Sequence, residues 1–467
     1  MKSASTPILV RLASNSTWMF LERGIALAVA IGVGLYFVRY LGAETFGSYS
    51  YALGLYGLFA VASRLGINTL VVNETLQNQT QQSRILGSAF ALRMTASLAG
   101  IVLLNFTSWL LGDGDVLRQM ILVFSIALLF GPFETITHWF ESNVRMRPIA
   151  IARSLTSVLI GLTRLGLILA GLGLFWFVWL VPVEAFLTAV FFVIAYRSSG
   201  FQTSQWRPDY LLIRKFISEG VPLFFSALAV VIYMKIDIVM LGKMASRTDV
   251  GIYSAAVRIS EMFYFIPVVL AGLFFPYLIK AESRDQNFFR QVIQVTSDGL
   301  AWIAILIAVP VTLFSVPLVS LAYGEEYLPS AGILVIHVWA GIFVFIETMR
   351  VRWLVIHKLT RFQFWTTAIG AVSNIVLNLF LIPAYQGYGA ALATLLSYGL
   401  AVVLSCFLSS QTREIGIILV KSMLAPLRIP ETLRTFARVR STVDAAAQPI
   451  AKGPEWPDPE VTQDVFR

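Results

Sequence analysis

Five basic residues interrupt long apolar stretches of this sequence. They are Arg23, Arg93, Arg164, Lys235 and Arg258. A charge at the centre of a bilayer costs about 2.5–3.5 kcal/mol on insertion scales, so such a residue normally faces protein or a water-filled cavity. Arginine offers a planar fork of donors to phosphate oxygens, and lysine offers a point charge. We therefore predict that these residues line a cationic cavity able to bind an anion such as phosphate. For each of them, an ion pair that fastens two helices is the alternative.

Acidic residues in the same stretches are candidates for coupling or gating. They are Glu22, Glu134, Asp237, Glu261 and Glu347. A protonatable carboxylate biases one conformation when its proton affinity differs between conformations. Asp237 is our first choice, and Glu134, which follows a helix-breaking Gly-Pro pair, is the second. A permanently paired structural carboxylate is the alternative for both. The spacing of Arg258 and Glu261 would also allow these two residues to pair on one helix face.

The sequence holds no arrangement of residues typical of catalysis. It has no phosphate-cradling loop, no His-Glu metal spacing and no elbow serine. Its three histidines provide little general acid–base chemistry. The single cysteine, Cys406, can form neither an intrachain disulfide nor a thiolate metal site. We therefore expect a protein that is not an enzyme and that has no metal site and no cofactor.

The composition indicates that the elements carrying these charges lie in a membrane. Of the 467 residues, 57% are hydrophobic and 13% are charged, and the mean hydropathy is +0.76. Ordinary soluble domains carry about 25% charged residues, so this chain could not cover a soluble surface. The net charge of +9 does not indicate nucleic-acid binding, because no basic stripe with interleaved aromatic residues occurs.

Twelve apolar runs are long enough to cross the hydrocarbon core, which requires about 20 helical residues. Their approximate limits are 18–40, 47–66, 85–111, 119–141, 148–171, 173–196, 216–242, 250–279, 291–321, 328–356, 362–383 and 388–410. No run alternates polar and apolar residues as the strands of a membrane barrel do. The sequence therefore predicts an all-α polytopic membrane protein.

Basic residues between the runs predict the orientation. With the N-terminus in the cytosol, seventeen loop lysines and arginines, Arg350 among them, lie inside, and only Arg118, Lys243 and Arg247 lie outside. Because positive charge accumulates on the cytoplasmic side, both termini are expected there. The predicted division is a cytosolic N-terminal segment, a six-helix half, a cytosolic connecting loop, a second six-helix half and a partly disordered cytosolic tail, at 1–17, 18–196, 197–215, 216–410 and 411–467.

A repeated phrase indicates that the halves are similar. Leu41-Gly42 followed by Phe46-Gly47-Ser48-Tyr49-Ser50-Tyr51-Ala52 returns about 200 residues later as Leu241-Gly242 followed by Val250-Gly251-Ile252-Tyr253-Ser254-Ala255-Ala256. A shorter match, Phe133-Glu134-Thr135 with Ile346-Glu347-Thr348, has a similar offset. Such internal similarity is typical of transporters built as parallel repeats around a central cavity. We expect Gly47 and Gly251 to occupy equivalent positions.

These segments resemble the oligosaccharide and polysaccharide flippases of the multidrug/oligosaccharidyl-lipid/polysaccharide exporter superfamily. The resemblance covers about residues 15–410. Besides the repeated phrase, it depends on the following segments: Arg39-Tyr40, Arg64-Leu65-Gly66-Ile67-Asn68-Thr69, Asp237-Ile238-Val239-Met240-Leu241-Gly242, Asn374, Asn378, Leu381-Ile382-Pro383 and Gly387-Tyr388-Gly389-Ala390-Ala391.

The resemblance implies a flippase of the bacterial inner membrane. Its expected substrate is an undecaprenyl-diphosphate-linked oligosaccharide, moved from the cytoplasmic to the periplasmic leaflet for O-antigen, capsule or exopolysaccharide synthesis. Expected partners are that substrate, membrane lipid and other polysaccharide-assembly proteins. Two alternatives stay open: a drug or cation antiporter of the related exporter type, and a membrane polysaccharide polymerase or ligase. The first favours a cavity dominated by acids, and the second usually has a large outer loop, which this sequence lacks.

Overall fold

The computed structural model describes residues 8–437, and this part of the chain is helical almost throughout, with no strand. The expected all-α class is therefore confirmed. Eight helices precede the connection between the predicted halves: α1 (Ile8–Leu41), α2 (Ala43–Arg64), α3 (Asn68–Gln77), α4 (Gln82–Leu110), α5 (Asp115–Ile126), α6 (Thr135–Ser142), α7 (Arg147–Leu169) and α8 (Leu174–Ser198).

Eight more helices follow the connection: α9 (Tyr210–Met244), α10 (Arg247–Glu261), α11 (Phe265–Arg284), α12 (Gln286–Leu313), α13 (Ser315–Tyr323), α14 (Pro329–Ile356), α15 (Thr360–Val402) and α16 (Arg413–Met423). Local chemistry explains two of the starts. The Asp209 carboxylate caps α9 by accepting from the backbone N–H of Leu211 at 2.9 Å. Ser246 and Asp249 form a reciprocal capping box at the start of α10.

Ten segments of the described chain are long and apolar enough to cross a membrane, against the twelve runs of the sequence. Helix α2 is one source of the difference. It has 22 residues but is not among the ten. It packs against α4, α5, α9 and α10, so most of its surface meets protein rather than lipid. A span surrounded in this way needs fewer apolar residues than one that faces lipid.

The other difference is α15, which contains both of the last two predicted spans. Its 43 residues would measure about 65 Å if straight, twice the hydrocarbon thickness. The helix instead bends back at Gln386, whose φ of 51° and ψ of −127° are not helical. Beyond the bend the two arms lie side by side, since Asn374 Nδ2 donates to Ser397 Oγ at 3.2 Å. The break expected after Pro383 is thus a tight helical hairpin.

Other predicted spans are also interrupted. The fourth is α5 and α6, separated by 3₁₀ turns that include Gly131 and Pro132, as the Gly-Pro pair predicts. Residues 199–209 join α8, which ends at Ser198, to α9, which begins at Tyr210. The division into two halves with a connecting loop at 197–215 stays a prediction. The tail contains α16, while its part from residue 438, including the segment expected to be disordered, lies outside the described residues.

We call the end of the bundle that carries residues 199–209 the linker end, and the end where α2 and α10 begin the opposite end. At the opposite end, α2 and α10 are in backbone contact. A Cβ on Gly47 would overlap the carbonyl of Arg247, and a Cβ on Gly251 would overlap the carbonyl of Ala43. Each glycine therefore lies against the residue four positions before the other glycine. The two helices are related reciprocally at this point, whereas a relation between complete six-helix halves stays a prediction.

Polar contacts surround this glycine crossing, and two of them join the predicted halves. Lys243 Nζ donates to Asp113 Oδ1 at 2.5 Å, and the hydroxyl of Tyr51 donates to the same oxygen at 3.0 Å. On the other side, Glu326 Oε1 accepts from the backbone N–H of Ala43 at 2.7 Å. The opposite end is therefore closed by packed glycines, an ion pair and a capped helix start.

Candidate functional site

Two arginines from different predicted halves lie near each other beside α1. Arg164 of α7 places its guanidinium 5.1 Å from the ring centroid of Phe37, and Arg258 of α10 lies against Gly34, one turn earlier on α1. The two charges are close enough to repel each other. Neither forms an ion pair within 4.0 Å with any acidic residue of the described chain. The structure thus brings two partly buried cations together beside α1.

Aromatic side chains surround this arginine pair. Tyr49 and Tyr323 both interact electrostatically with Arg258. The carboxylate that acts on Arg164 is Glu184, which is exposed and lies beyond ion-pair distance. Guanidinium groups held among rings present donors in a fixed orientation. The arrangement is therefore suited to an anionic group with several oxygens.

The other three predicted basic residues have different environments. Lys235 Nζ forms an ion pair with Glu261 Oε2 at 2.7 Å. Arg93 is 1% exposed, and its guanidinium contacts Asn68, Thr135 at 3.3 Å and His138 at 3.1 Å. Arg23 is exposed on α1.

The five residues predicted to share one cavity therefore occupy four places. The pairing of Arg258 with Glu261 that their spacing allowed does not form. Arg258 extends toward α1, whereas Glu261 extends toward α9 and meets Lys235.

Asp237 lies in a buried polar cluster. The residue is 4% exposed, and its carboxylate accepts from the hydroxyls of Tyr253 and Thr394 and from the backbone N–H of Ile238, the last two at 3.3 and 2.8 Å. No basic side chain of the described residues lies within 4.0 Å of it. Lys235, the partner considered from sequence, contacts Glu261 instead. Asp237 is therefore a buried carboxylate stabilised by hydrogen bonds rather than by a contacting cation.

The hairpin of α15 extends this cluster. Asn378 Nδ2 donates to Asn374 Oδ1 at 2.9 Å, and Asn374 donates to Ser397. Ser397 lies one turn from Thr394, which contacts Asp237. In the sequence, both asparagines stand out only as part of the family resemblance. Their spacing of four, on an otherwise apolar helix, was the signal that they share one face.

Glu134 and Glu347 are each engaged by arginines near the linker end. Glu134 forms ion pairs with Arg64 at 3.2 Å and Arg153 at 3.6 Å. Glu347 forms a bidentate pair with Arg350 at 2.5 and 2.9 Å. The sequence predicts Arg350 to be a loop charge, yet the residue is only 1% exposed.

Two acidic residues of the prediction are thus ion-paired in this structure, and their role in coupling or gating stays a prediction. The fifth, Glu22, is partly exposed on α1.

The chain is similar in sequence to known proteins. A family model described as "Polysaccharide biosynthesis protein" matches residues 12–282. The chain is similar to the probable low-salt glycan biosynthesis flippase Agl15 of Haloferax volcanii, with 22% identity over 82% of each chain. It is also similar to the probable flippase AglR of the same organism, with 24% identity over 85% of this chain and 83% of the relative.

Solved structures share the fold. The lipid II flippase MurJ in an inward closed conformation superposes with a TM-score of 0.65 over 92% of this chain and 98% of its own, at 16% identity. An inward-facing multidrug resistance transporter of the MATE family reaches a TM-score of 0.58 over 91% and 99%, at 12% identity. The helical arrangement is therefore that of these membrane transporters.

Proposed function

Because the chain belongs to the polysaccharide biosynthesis protein family, and is accordingly a transporter rather than an enzyme, we propose that it is a flippase for a lipid-linked oligosaccharide. The proposed substrate is an undecaprenyl-diphosphate-linked oligosaccharide, carried from the cytoplasmic to the periplasmic leaflet of the bacterial inner membrane for surface polysaccharide synthesis. The two relatives with similarity over most of the chain are named as flippases, which supports the class of cargo.

The arginine pair is the observation that carries this proposal. A diphosphate headgroup cannot enter hydrocarbon without its charge being compensated. Arg164 and Arg258 supply two cations that no acid of the described chain neutralises, and they come from opposite halves. A diphosphate between them would relieve their mutual repulsion and satisfy their donors. A cationic drug would meet repulsion at the same place, which disfavours the antiporter alternative.

The proposed movement is alternating access between the halves. The opposite end is closed by the Gly47–Gly251 crossing and the Asp113–Lys243 pair. Seventeen basic loop residues against three favour a cytosolic position for the linker end. Substrate would then enter from the cytosol, bind the arginine pair and leave when the opposite end opens. Asp237 is the proposed proton-sensitive group that biases this exchange.

The test is transport in proteoliposomes. Undecaprenyl-diphosphate-linked oligosaccharide is placed in one leaflet, and its arrival in the other is followed with a membrane-impermeant glycosidase. Arg164→Gln together with Arg258→Gln should reduce the rate at least about tenfold, because two charged hydrogen bonds to the headgroup are lost. The matched control is Arg145→Gln with Arg214→Gln, two exposed arginines. Equal rates for the double variant and the control would reject the diphosphate role.

A further inference from the structure

The connection between the halves is fixed onto the first turns of α4. The ring of Trp206 packs against Tyr196 and Phe90, with centroid distances of 5.8 and 5.4 Å. Phe201 stacks on Tyr196 at 5.5 Å and also contacts Trp139 at 4.7 Å. These rings anchor the segment 199–209 at both of its ends.

Backbone contacts complete the attachment. The backbone N–H of Arg207 donates to the carbonyl of Ser83 at 3.3 Å, and that of Asp209 donates to Ser88 Oγ at 2.8 Å. Gly87 permits this approach, since a Cβ there would overlap the backbone of Arg207. The segment therefore forms a fixed wall rather than a free loop.

An open cavity of about 550 Å³ lies between this wall and the turn that precedes α4. Arg84 and Arg207 line it together with the hydroxyls of Thr80, Ser83 and Ser204, and two glutamine amides complete the lining. No acidic and no apolar residue belongs to the described lining. The cavity is therefore rich in donors and carries two positive charges.

The two guanidinium groups are weakly engaged. Arg84 Nη1 lies 3.9 Å from Asp209 Oδ2, at the limit of an ion pair and with the arginine largely exposed. Arg207 has no ion pair with an acid of residues 8–437. An exposed pair at that distance contributes little and exchanges readily. Both arginines are therefore available to a ligand.

We propose that this cavity binds a phosphate group, supplied either by a lipid headgroup or by a soluble phosphate ester. Guanidinium forks match phosphate oxygens bidentately, and the neighbouring hydroxyls and amides can satisfy the oxygens that remain. The cavity lies at the start of α4, beside the segment that follows α8, where membrane-crossing helices reach the headgroup level. It is separate from the Arg164–Arg258 pair, and it stands whether or not the chain is a flippase.

The test uses the full chain in detergent with two probes. Native mass spectrometry measures bound phosphatidylglycerol, and titration calorimetry measures bound inorganic diphosphate. Arg84→Gln with Arg207→Gln should weaken binding about tenfold or more, since two charged contacts disappear. Arg145→Gln with Arg214→Gln removes the same charge outside the cavity and should have little effect. Arg84→Lys with Arg207→Lys keeps the charge but loses the fork, and it should bind between these limits.

Three results would support the site and identify its ligand. If the arginine substitutions weaken binding of phosphatidylglycerol alone, the ligand is a lipid headgroup. If they weaken binding of diphosphate alone, the ligand is a soluble ester. If they weaken binding of both probes, the site accepts any accessible phosphate. Two results would overturn it. In the first, the control double variant binds a probe no more tightly than the Arg84–Arg207 double variant, which means general electrostatic attraction. In the second, neither probe binds to the unaltered chain. Because both arginines are exposed, unchanged thermal unfolding should accompany every variant.

Discussion

Asp237 is almost completely buried, and no cation among the described residues contacts it. Its carboxylate is held by the hydroxyls of Tyr253 and Thr394. Other titratable groups that interact with it electrostatically are Lys235, Glu261, Tyr264 and Tyr398. A buried carboxylate with neutral partners can gain a proton with less disruption than one in a salt bridge. This chemistry is what a proton-sensitive group requires.

Replacement of Asp237 tests that role. Asp237→Asn keeps an oxygen that can accept from Tyr253 but cannot titrate, so the protein should fold while its transport rate no longer responds to a pH gradient. Proteoliposome flux with the gradient imposed and then collapsed measures this. Thr394→Val, which removes one hydrogen bond and leaves the carboxylate, should retain the response. If the transport rate of Asp237→Asn still responds to the pH gradient, a group other than Asp237 couples transport to the gradient.

The Glu347–Arg350 pair allows a stability prediction. Glu347→Gln leaves a nearly inaccessible guanidinium without its anion, and breaking one side of a buried pair costs about 3–5 kcal/mol. Since Thr366 still accepts from Arg350, we expect the lower end of that range. Unfolding midpoints in detergent measure the loss. The control is the Arg428–Glu431 pair, whose glutamate side chain is 60% exposed: Glu431→Gln should change stability by less than about 0.5 kcal/mol. Similar losses at both pairs would show that Arg350 is hydrated.

At the scale of elements, the crossing of α2 and α10 depends on two glycines. Gly47→Ala or Gly251→Ala would place a methyl group inside the backbone of the other helix, so the helices must separate. We expect lower thermal stability, measured as a lower unfolding midpoint in detergent. The control lies on the same helix: nothing lies within 4 Å of a Cβ built on Gly57. Gly57→Ala should be neutral or stabilising by up to about 1 kcal/mol. Equal effects at Gly47 and Gly57 would contradict close contact.

At the scale of the whole molecule, the contacts between the halves at the opposite end must break if access alternates. In a Cys406→Ser background, Asp113→Cys with Lys243→Cys should allow a short thiol crosslinker to join the halves and stop flux. Asp113→Cys with Ser108→Cys links two residues of one half, whose side chains are 2.9 Å apart, and should leave flux intact. Full flux in the crosslinked Asp113–Lys243 variant would exclude opening at this end.

The orientation of the molecule has its own test. Reporter fusions at Gln79 and Ser204, both at the linker end, should report the cytosol, because basic loop residues concentrate there. Fusions at Asp115, Arg247 and Glu325 should report the periplasm. A periplasmic signal at Ser204 would invert the proposed orientation.

Much of the architecture could be predicted from the sequence because it depends on local properties. Apolar runs of about 20 residues specify membrane-crossing helices whatever their neighbours. Pro132 lies in the 3₁₀ turns between α5 and α6, and Pro383 precedes the bend at Gln386, whereas Pro182, Pro222 and Pro310 lie inside continuous helices. Gly47 and Gly251, which the repeated phrase singles out, lie in the backbone contact between α2 and α10, and their equivalence within two similar halves stays a prediction. Only α2 was less apolar than its position would suggest, because its neighbours are protein.

The pairing of the charges was decided by the tertiary structure alone. Arg258 and Glu261 lie one turn apart on α10, yet one side chain extends to α1 and the other to Lys235 on α9. Arg350 was counted with the loops, but the packing of α14 and α15 buries it beside Glu347. Which charge meets which depends on how each helix is rotated about its axis. That rotation is set by contacts between residues distant in sequence. Arg164 and Arg258, for example, lie close together beside α1, and no local sequence pattern predicts this.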